Sequence, residues 1–271
     1  KNFNQIKMKK LLCFFSALAL ILTSCSSDDS QEGSAILPKT IKYSDIEFPS
    51  DNSTYISTYN GNKIVSTKDE AGRTDYTYDG NLLVKEINYD TESGKDITSD
   101  ITTYKYTNGK LTESTYAEGF STAFPNGEYN SRIVFTHNAD GTVKRERYNI
   151  NGTVEKKSIY SEVLTFANGN LVKSVQTDSE TGSVFTAQYE YDDKNSPYKN
   201  IAGFNLLIDH SEGEGSVSSV NNVVKYTASY TNEKARVYKR EIVYDANNYP
   251  SKITNYKSDG TTARETNEYS Y

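Results

Sequence analysis

The chain has 271 residues, with 30 basic and 36 acidic side chains, 23 tyrosines, no tryptophan and 35% hydrophobic residues. The first 24 residues hold four lysines and no acid, which leaves 26 basic against 36 acidic residues in the rest of the chain. This balance excludes a nucleic-acid binder, which needs a basic patch. The sparse apolar content disfavours a thick two-layer core and favours one sheet curved on itself, with tyrosines filling its concave side.

The N-terminal segment has the residue order of a secretory signal peptide. The basic pair Lys9–Lys10 precedes the apolar stretch 11–22, and small residues follow it. This stretch is too short to span a bilayer, which takes about 20 residues in a helix. Met8, the only methionine, directly precedes the basic pair. We therefore predict that translation starts at Met8 and that the signal peptide ends at residue 24.

The sequence Leu22-Thr23-Ser24-Cys25 resembles the lipobox of bacterial lipoproteins. The resemblance implies that Cys25 is lipidated and anchors the protein to a membrane. An ordinary signal peptide with an incidental cysteine is the alternative. Cys13 would leave with the signal peptide, so the single remaining cysteine cannot form an intramolecular disulfide.

The next residues, Ser26-Ser27-Asp28-Asp29-Ser30, resemble the acidic surface-export signal of Bacteroidetes lipoproteins. This resemblance implies that the protein is anchored in the outer membrane and faces the cell exterior; a plain solvated linker is the alternative. We interpret residues 25–39 as the lipidated cysteine and a flexible tether. Residues 40–271 are predicted to form a single repeat-built β domain.

This domain repeats a unit in which a strand ends in an aromatic residue, turns at Asn-Gly or Asp-Gly, and continues as an apolar-polar strand. Its copies begin at Tyr59, Tyr78, Tyr106 and Phe166, and in weaker form at His137, Tyr191 and Tyr244. Because 53 residues separate the last two, we place one more copy near Tyr230. The turn residues accept the positive φ angles of tight hairpins.

The flanks of each turn alternate with period two, as half-buried strands do. Pairs such as Tyr76/Tyr78 and Tyr104/Tyr106 therefore point to one face. We find no helical periodicity of useful length. The sequence predicts an all-β antiparallel meander of about 14–16 strands, curved or closed into a barrel-like shell.

The hairpins look like YD repeats of the Rhs class, with Tyr78-Asp79-Gly80 and Tyr244-Asp245 as the best matches. The lipobox followed by this meander resembles a Bacteroidetes surface lipoprotein family of unknown function with a porin-like β fold. That resemblance covers residues 40–271. It implies a barrel-like fold and supplies no activity.

The sequence offers no catalytic or metal-binding motif. His137 and His210 lie in neither a zinc-ligand spacing nor a metalloprotease pattern, so we predict no metal, no cofactor and no enzymatic activity. Acidic pairs such as Asp192/Asp193 could serve a glycosidase, although solvated turns explain them equally.

Two segments interrupt the repeat, and we predict that any ligand site lies there, because function concentrates on loops held by a rigid scaffold. The first, 117–131, carries Phe120, Phe124 and Tyr129. The second, 195–222, carries Tyr198 and Phe204. These aromatic side chains either meet a ligand or form a plug against the mouth of the shell.

The function that we infer from the sequence is a non-catalytic binding or structural module on the cell surface. Its partner would be a glycan, with aromatic rings stacked on sugar faces, or a surface protein. A glycoside hydrolase-like enzyme and an outer-membrane pore are the alternatives. A pore needs an outward apolar band, whereas strands such as Lys144–Tyr148 carry charge on both faces.

Overall fold

The computed structural model describes residues 35–271 except Ser93, Asp209 and 212–214. Cys25, the signal peptide and most of the predicted tether lie outside the described residues. The strands are β1 Thr40–Asp45, β2 Ser53–Asn60, β3 Lys63–Lys68, β4 Gly72–Asp79, β5 Leu82–Glu92, β6 Lys95–Thr107, β7 Lys110–Glu118, β8 Tyr129–His137, β9 Val143–Asn151, β10 Val154–Ala167, β11 Asn170–Asp178, β12 Val184–Tyr191, β13 His210–Ser211, β14 Gly215–Ser216, β15 Val223–Tyr230, β16 Arg236–Tyr244, β17 Pro250–Tyr256 and β18 Ala263–Ser270.

All of these strands except the small β13–β14 hairpin form one closed antiparallel barrel of 16 strands. Neighbours in the barrel follow chain order, and β1 closes it by pairing with both β2 and β18. The described helices are two short 3-10 turns, Pro49–Asp51 and Phe204–Leu206. The predicted all-β meander is therefore confirmed, and the shell closes. No helix in the described part of the chain is long and apolar enough to cross a membrane.

The turns of the repeat, which include Asn60-Gly61, Asp79-Gly80, Asn108-Gly109 and Asn168-Gly169, lie together at one end of the barrel, which we call the turn end. Gly80 and Gly169 have φ angles of 55° and 77° there, and Asn108 has a φ angle of 52°. These left-handed conformations are the reason that glycine and asparagine recur at the turns. The opposite end, which we call the loop end, carries the connection 119–128 between β7 and β8.

In six of the strand pairs, a β-bulge lies next to the aromatic residue that precedes the turn of the repeat. The register shifts directly before Tyr59, Tyr78, Tyr106, Phe166, Tyr191 and Tyr244. In the pair β4–β5, for example, Tyr78 lies opposite Leu83 whereas Thr77 lies opposite Lys85, so Val84 is the extra residue. The ladder between β5 and β6 ends at Lys85. Leu83, which is fully buried, therefore lies beyond the last residue pair between β5 and β6 and has no ladder partner in β6.

At three of these bulges a tyrosine hydroxyl from the adjacent strand, or from the residue directly after it, donates to the carbonyl that the bulge leaves free. Tyr106 donates to the Leu83 carbonyl at 2.8 Å, Tyr191 to that of Leu171 at 2.7 Å and Tyr271 to that of Pro250 at 2.9 Å. His137 Nε2 lies 2.8 Å from the Leu111 carbonyl oxygen in the same arrangement.

Tyr78 and Tyr244 donate elsewhere, to the Ala202 carbonyl and to Asp192. Phe166 is an exception of another kind. Its neighbouring hairpin β8–β9 has no bulge, and Val143 stays paired with Leu164 across β9 and β10. The ladder continues to the residue next to the turn there, and the residue at the repeat position carries no hydroxyl.

The segment 192–222 connects β12 to β15, and its described residues, which we call the plug, pack across the turn end. The Ala202 amide donates to the Asn62 carbonyl at 2.9 Å, and the Asn195 amide donates to that of Asn248 at 3.0 Å. Ile201, Phe204, Leu207 and Ile208 are buried in the same apolar cluster as Leu83, Leu111, Leu164 and Leu171. The plug thus fills the lumen at the turn end and supplies much of the core.

Two sequence-based assignments change. Tyr230 ends β15 at the loop end, not at the turn end, so the extra copy predicted there is wrong; the plug accounts for the long interval. Residues 35–39, assigned to the tether, pack against the barrel. Leu37 and Pro38 are buried, and the Lys39 amide donates to the Ser270 carbonyl at 2.7 Å.

The outer surface of the barrel carries cross-strand ion pairs. Glu113 lies 2.6 Å from Lys105 and 3.1 Å from Arg132, and Arg132 also contacts Glu155 at 2.7 Å. Further outward pairs are Lys144–Glu146, Lys157–Glu146, Lys225–Glu190 and Lys252–Glu268. Side chains that face water on neighbouring strands account for these pairs.

Candidate functional site

The lumen contains an aromatic cavity of about 400 Å³ beside the plug. Its lining includes Tyr43, Tyr55, Tyr59, Tyr76, Tyr198 and Phe204. The period-two alternation of β1, β2 and β4 puts these tyrosines on the inner face. Burial raises the pKa of Tyr59 to about 12, and its hydroxyl donates to the Pro38 carbonyl at 2.8 Å. The aromatic side chains around this cavity give it a largely apolar lining.

A second cavity of about 640 Å³ lies along β5 to β9 and is lined largely by polar groups. Glu86, Asp100 and Glu118 contribute carboxylates from three successive strands, β5 to β7. Each accepts a hydrogen bond from a neighbour: Glu86 from the Tyr104 hydroxyl at 2.9 Å, Asp100 from Asn88 at 2.7 Å and Glu118 from the Tyr116 hydroxyl at 2.8 Å.

Two arginines of β9 project into the same lumen. Arg145 and Arg147 line both the larger cavity and a neighbouring one of about 280 Å³. Arg145 contacts Glu162 at 3.1 Å, and its Nε is buried without a hydrogen-bond acceptor. Among the described residues, Arg147 makes one hydrogen bond, to Ser131 Oγ at 3.3 Å. Arg147 is solvent-exposed although it faces the lumen, so water reaches this wall.

The buried carboxylates of the lumen are held by cations and hydroxyl or amide donors. Glu162 accepts from Ser174 as well as from Arg145. Glu265 contacts Arg264 at 2.7 Å and accepts from Asn255 at 2.9 Å. No group of three or more potential metal-ligating His, Cys, Asp or Glu side chains occurs among the described residues.

The aromatic residues predicted as ligand contacts are divided between the two ends of the barrel. Phe124 and Tyr129 are 44% and 60% exposed at the loop end, and Phe120 is partly buried beside them. Tyr198 and Phe204 belong to the plug, where their rings pack 6.3 Å apart and line the aromatic cavity. The structure therefore brings each set together but keeps the two sets apart.

Sequence reasoning missed the lumen residues Glu86, Asp100, Glu118, Arg145 and Arg147 as site candidates. A signal was present, because alternation puts Arg145 and Arg147 on one face of β9 and their charged neighbours on the other. It did not indicate which face is the inner one.

No protein-family model and no curated protein sequence matches the chain. Among solved structures, the chain is similar to a porin-like protein from Bacteroides vulgatus, with a TM-score of 0.59 and 15% identity over 88% of this chain and 99% of that one. A porin-like protein from Bacteroides uniformis matches with a TM-score of 0.49 and 12% identity over 86% of this chain and 96% of that one. The fold of this chain is thus similar to that of a porin-like β-barrel.

Proposed function

We propose that this protein is a lipid-anchored, non-catalytic binding module at the outer surface of the outer membrane, and that its lumen takes up a glycan segment. The observation that carries the proposal is the pairing of an aromatic cavity with a cavity of carboxylates and arginines in one lumen. Ligand pockets that combine apolar ring faces with a few placed polar groups are typical of small-molecule sites.

The outer surface favours a water-exposed barrel over a membrane-spanning pore. A lysine or arginine on the lipid-facing side of a barrel costs about 2–4 kcal/mol at the bilayer midplane, and an acidic side chain costs less. The outward chain Lys105–Glu113–Arg132–Glu155 and the other outward ion pairs would impose that cost repeatedly. The plug also covers the turn end, which argues against a continuous channel.

The position of the N-terminal residues suits an outward-facing lumen. Residues 35–39 enter the barrel at the turn end, where Asn200 donates to the Ile36 carbonyl at 3.1 Å. The chain that leads back to Cys25 therefore leaves the barrel at the plugged end, and the loop end is free of this connection. Phe124 and Tyr129 would then meet a glycan first, at the mouth of the lumen.

Two experiments test this function. Cys25→Ala should release the protein from membranes in cell fractionation, and persistent membrane association of that variant would contradict the anchor. The full chain carrying Cys25→Ala should bind glycans in an array screen, and the binding should weaken in Tyr76→Ala, which alters the aromatic cavity. The matched exterior change Tyr256→Ala should leave it intact.

A glycan screen without any binding would refute the lumen as a glycan site. Release of reducing ends from a bound glycan would support the glycoside hydrolase alternative, because Glu86, Asp100 and Glu118 share one cavity. Conductance steps in planar bilayers would support the pore alternative.

A further inference from the structure

Acidic side chains line one side of the larger lumen cavity, and basic side chains line the other side. The three carboxylates lie on β5, β6 and β7, and the two arginines lie on β9. Strand β8 separates them and contributes Ser131, Ile133 and Phe135, which carry no charge. A bound molecule therefore meets hydrogen-bond acceptors at one side and guanidinium donors at the other.

The two arginines differ in how far their donors are already used. Arg145 is committed to Glu162, whose other oxygen accepts from Ser174. Within the described part of the chain, Arg147 has only the long 3.3 Å hydrogen bond to Ser131 and no ion pair with a carboxylate. A guanidinium presents five N–H donors in a planar fork that matches a carboxylate or sulfate.

We propose that Arg147, assisted by Arg145, binds the anionic group of an acidic saccharide, while Glu118 and Asp100 accept hydrogen bonds from its hydroxyls. This inference rests on the proposed glycan-binding function and narrows it to sugars that carry a carboxylate or a sulfate. The carboxylates of β5 to β7 repel a second anionic group, so the anion has one favoured side. Tyr116 lies between the two sides; burial, its hydrogen bond to Glu118 and the Asp100 charge raise its pKa to about 12, against a smaller opposing effect of Arg147.

The test compares three probes on the full chain with Cys25→Ala: a uronic-acid oligosaccharide, its neutral methyl ester, and a sulfated oligosaccharide of the same length. Titration calorimetry at low and high salt should give tighter binding of an acidic probe than of the neutral ester. Arg147→Gln should weaken binding of the acidic probe by about 10- to 100-fold, the range for a hydrogen bond between charged groups. Binding of the ester should hardly change.

Two further variants keep the result interpretable. Lys239→Gln makes the same charge change on the exterior of β16 and should leave acidic-probe affinity intact. Glu86→Gln removes the one carboxylate of the three to which we assign no sugar hydroxyl, so it reduces the repulsion and should strengthen binding of the acidic probes.

The outcomes separate the two proposals. Equal affinity for the neutral ester and for both acidic probes, or an unchanged preference for the acidic probe in Arg147→Gln, would overturn the acidic-sugar inference and leave glycan binding standing. Failure of every probe and of the wider glycan screen would overturn the proposed function itself. A preference for the uronate or for the sulfated probe identifies which anionic group is the ligand.

Discussion

The hydrogen bonds from repeat tyrosines to bulge carbonyls should contribute measurably to stability. Tyr106→Phe and Tyr191→Phe each remove one hydroxyl and leave the ring in place. Their acceptors, the carbonyls of Leu83 and Leu171, belong to residues that are fully buried. Water therefore cannot replace the lost donor, and each carbonyl is left unsatisfied.

An unsatisfied buried acceptor costs about 1–3 kcal/mol, so each variant should lose that much free energy of unfolding. In a domain of this size, each kcal/mol lowers the Tm by about 2–4 °C. The two sites lie on separate hairpins and should be additive in the double variant. Urea unfolding followed by circular dichroism gives the midpoint, and an unchanged slope would show that the denatured state is unaltered.

Two further variants serve as controls for the loss of the hydroxyl group. Tyr129→Phe removes a hydroxyl from a residue that is 60% exposed, so its midpoint should stay at the wild-type value. Phe166→Tyr adds a hydroxyl where Val143 is already paired with Leu164, so it should bring no gain in stability. The reasoning fails if Tyr106→Phe and Tyr191→Phe unfold like the wild type, or if Phe166→Tyr stabilises the protein.

Three more perturbations probe the turns, the buried hydroxyls and the plug. Gly80→Ala should lower the free energy of unfolding by about 1–2 kcal/mol, because a Cβ is strained at its φ of 55°. Gly169→Ala should lower it further in urea unfolding, since its Cβ would also meet a plug side chain at 3.2 Å. Equal losses in the two variants would contradict this packing. Burial raises the pKa of Tyr59 from 10.0 to about 12. The stability that the neutral phenol contributes is therefore complete below pH 10 and is lost as the pH rises toward 12. A tyrosinate absorbance that finishes rising near pH 10 in the folded protein would contradict this shift. Phe204→Ala should destabilise the protein by about 3–5 kcal/mol, whereas Phe124→Ala should change stability by less than about 0.5 kcal/mol; thermal melts in the reverse order would disprove the plug assignment.

The sequence by itself determined the secondary structure of this protein and the conformation of its turns. Apolar and polar residues alternate strictly around pairs such as Tyr76/Tyr78. A strand is the regular structure that places both rings of such a pair on one face. Gly80 and Gly169 adopt the positive φ angles expected of their turns. These properties are local, because they depend on residues within a few positions of each other.

The tertiary structure alone decided which face became the lumen and what fills it. Alternation is symmetric, so β9 presents Arg145 and Arg147 on one face and Lys144 and Glu146 on the other with equal regularity. Only closure of β1 onto β18 turns one face inward. The plug likewise has no periodic signal, since its irregular backbone is held by hairpin turns distant in sequence, such as the Asn62 carbonyl that binds the Ala202 amide. A candidate site built from β5 to β9 therefore exists only once the barrel has closed.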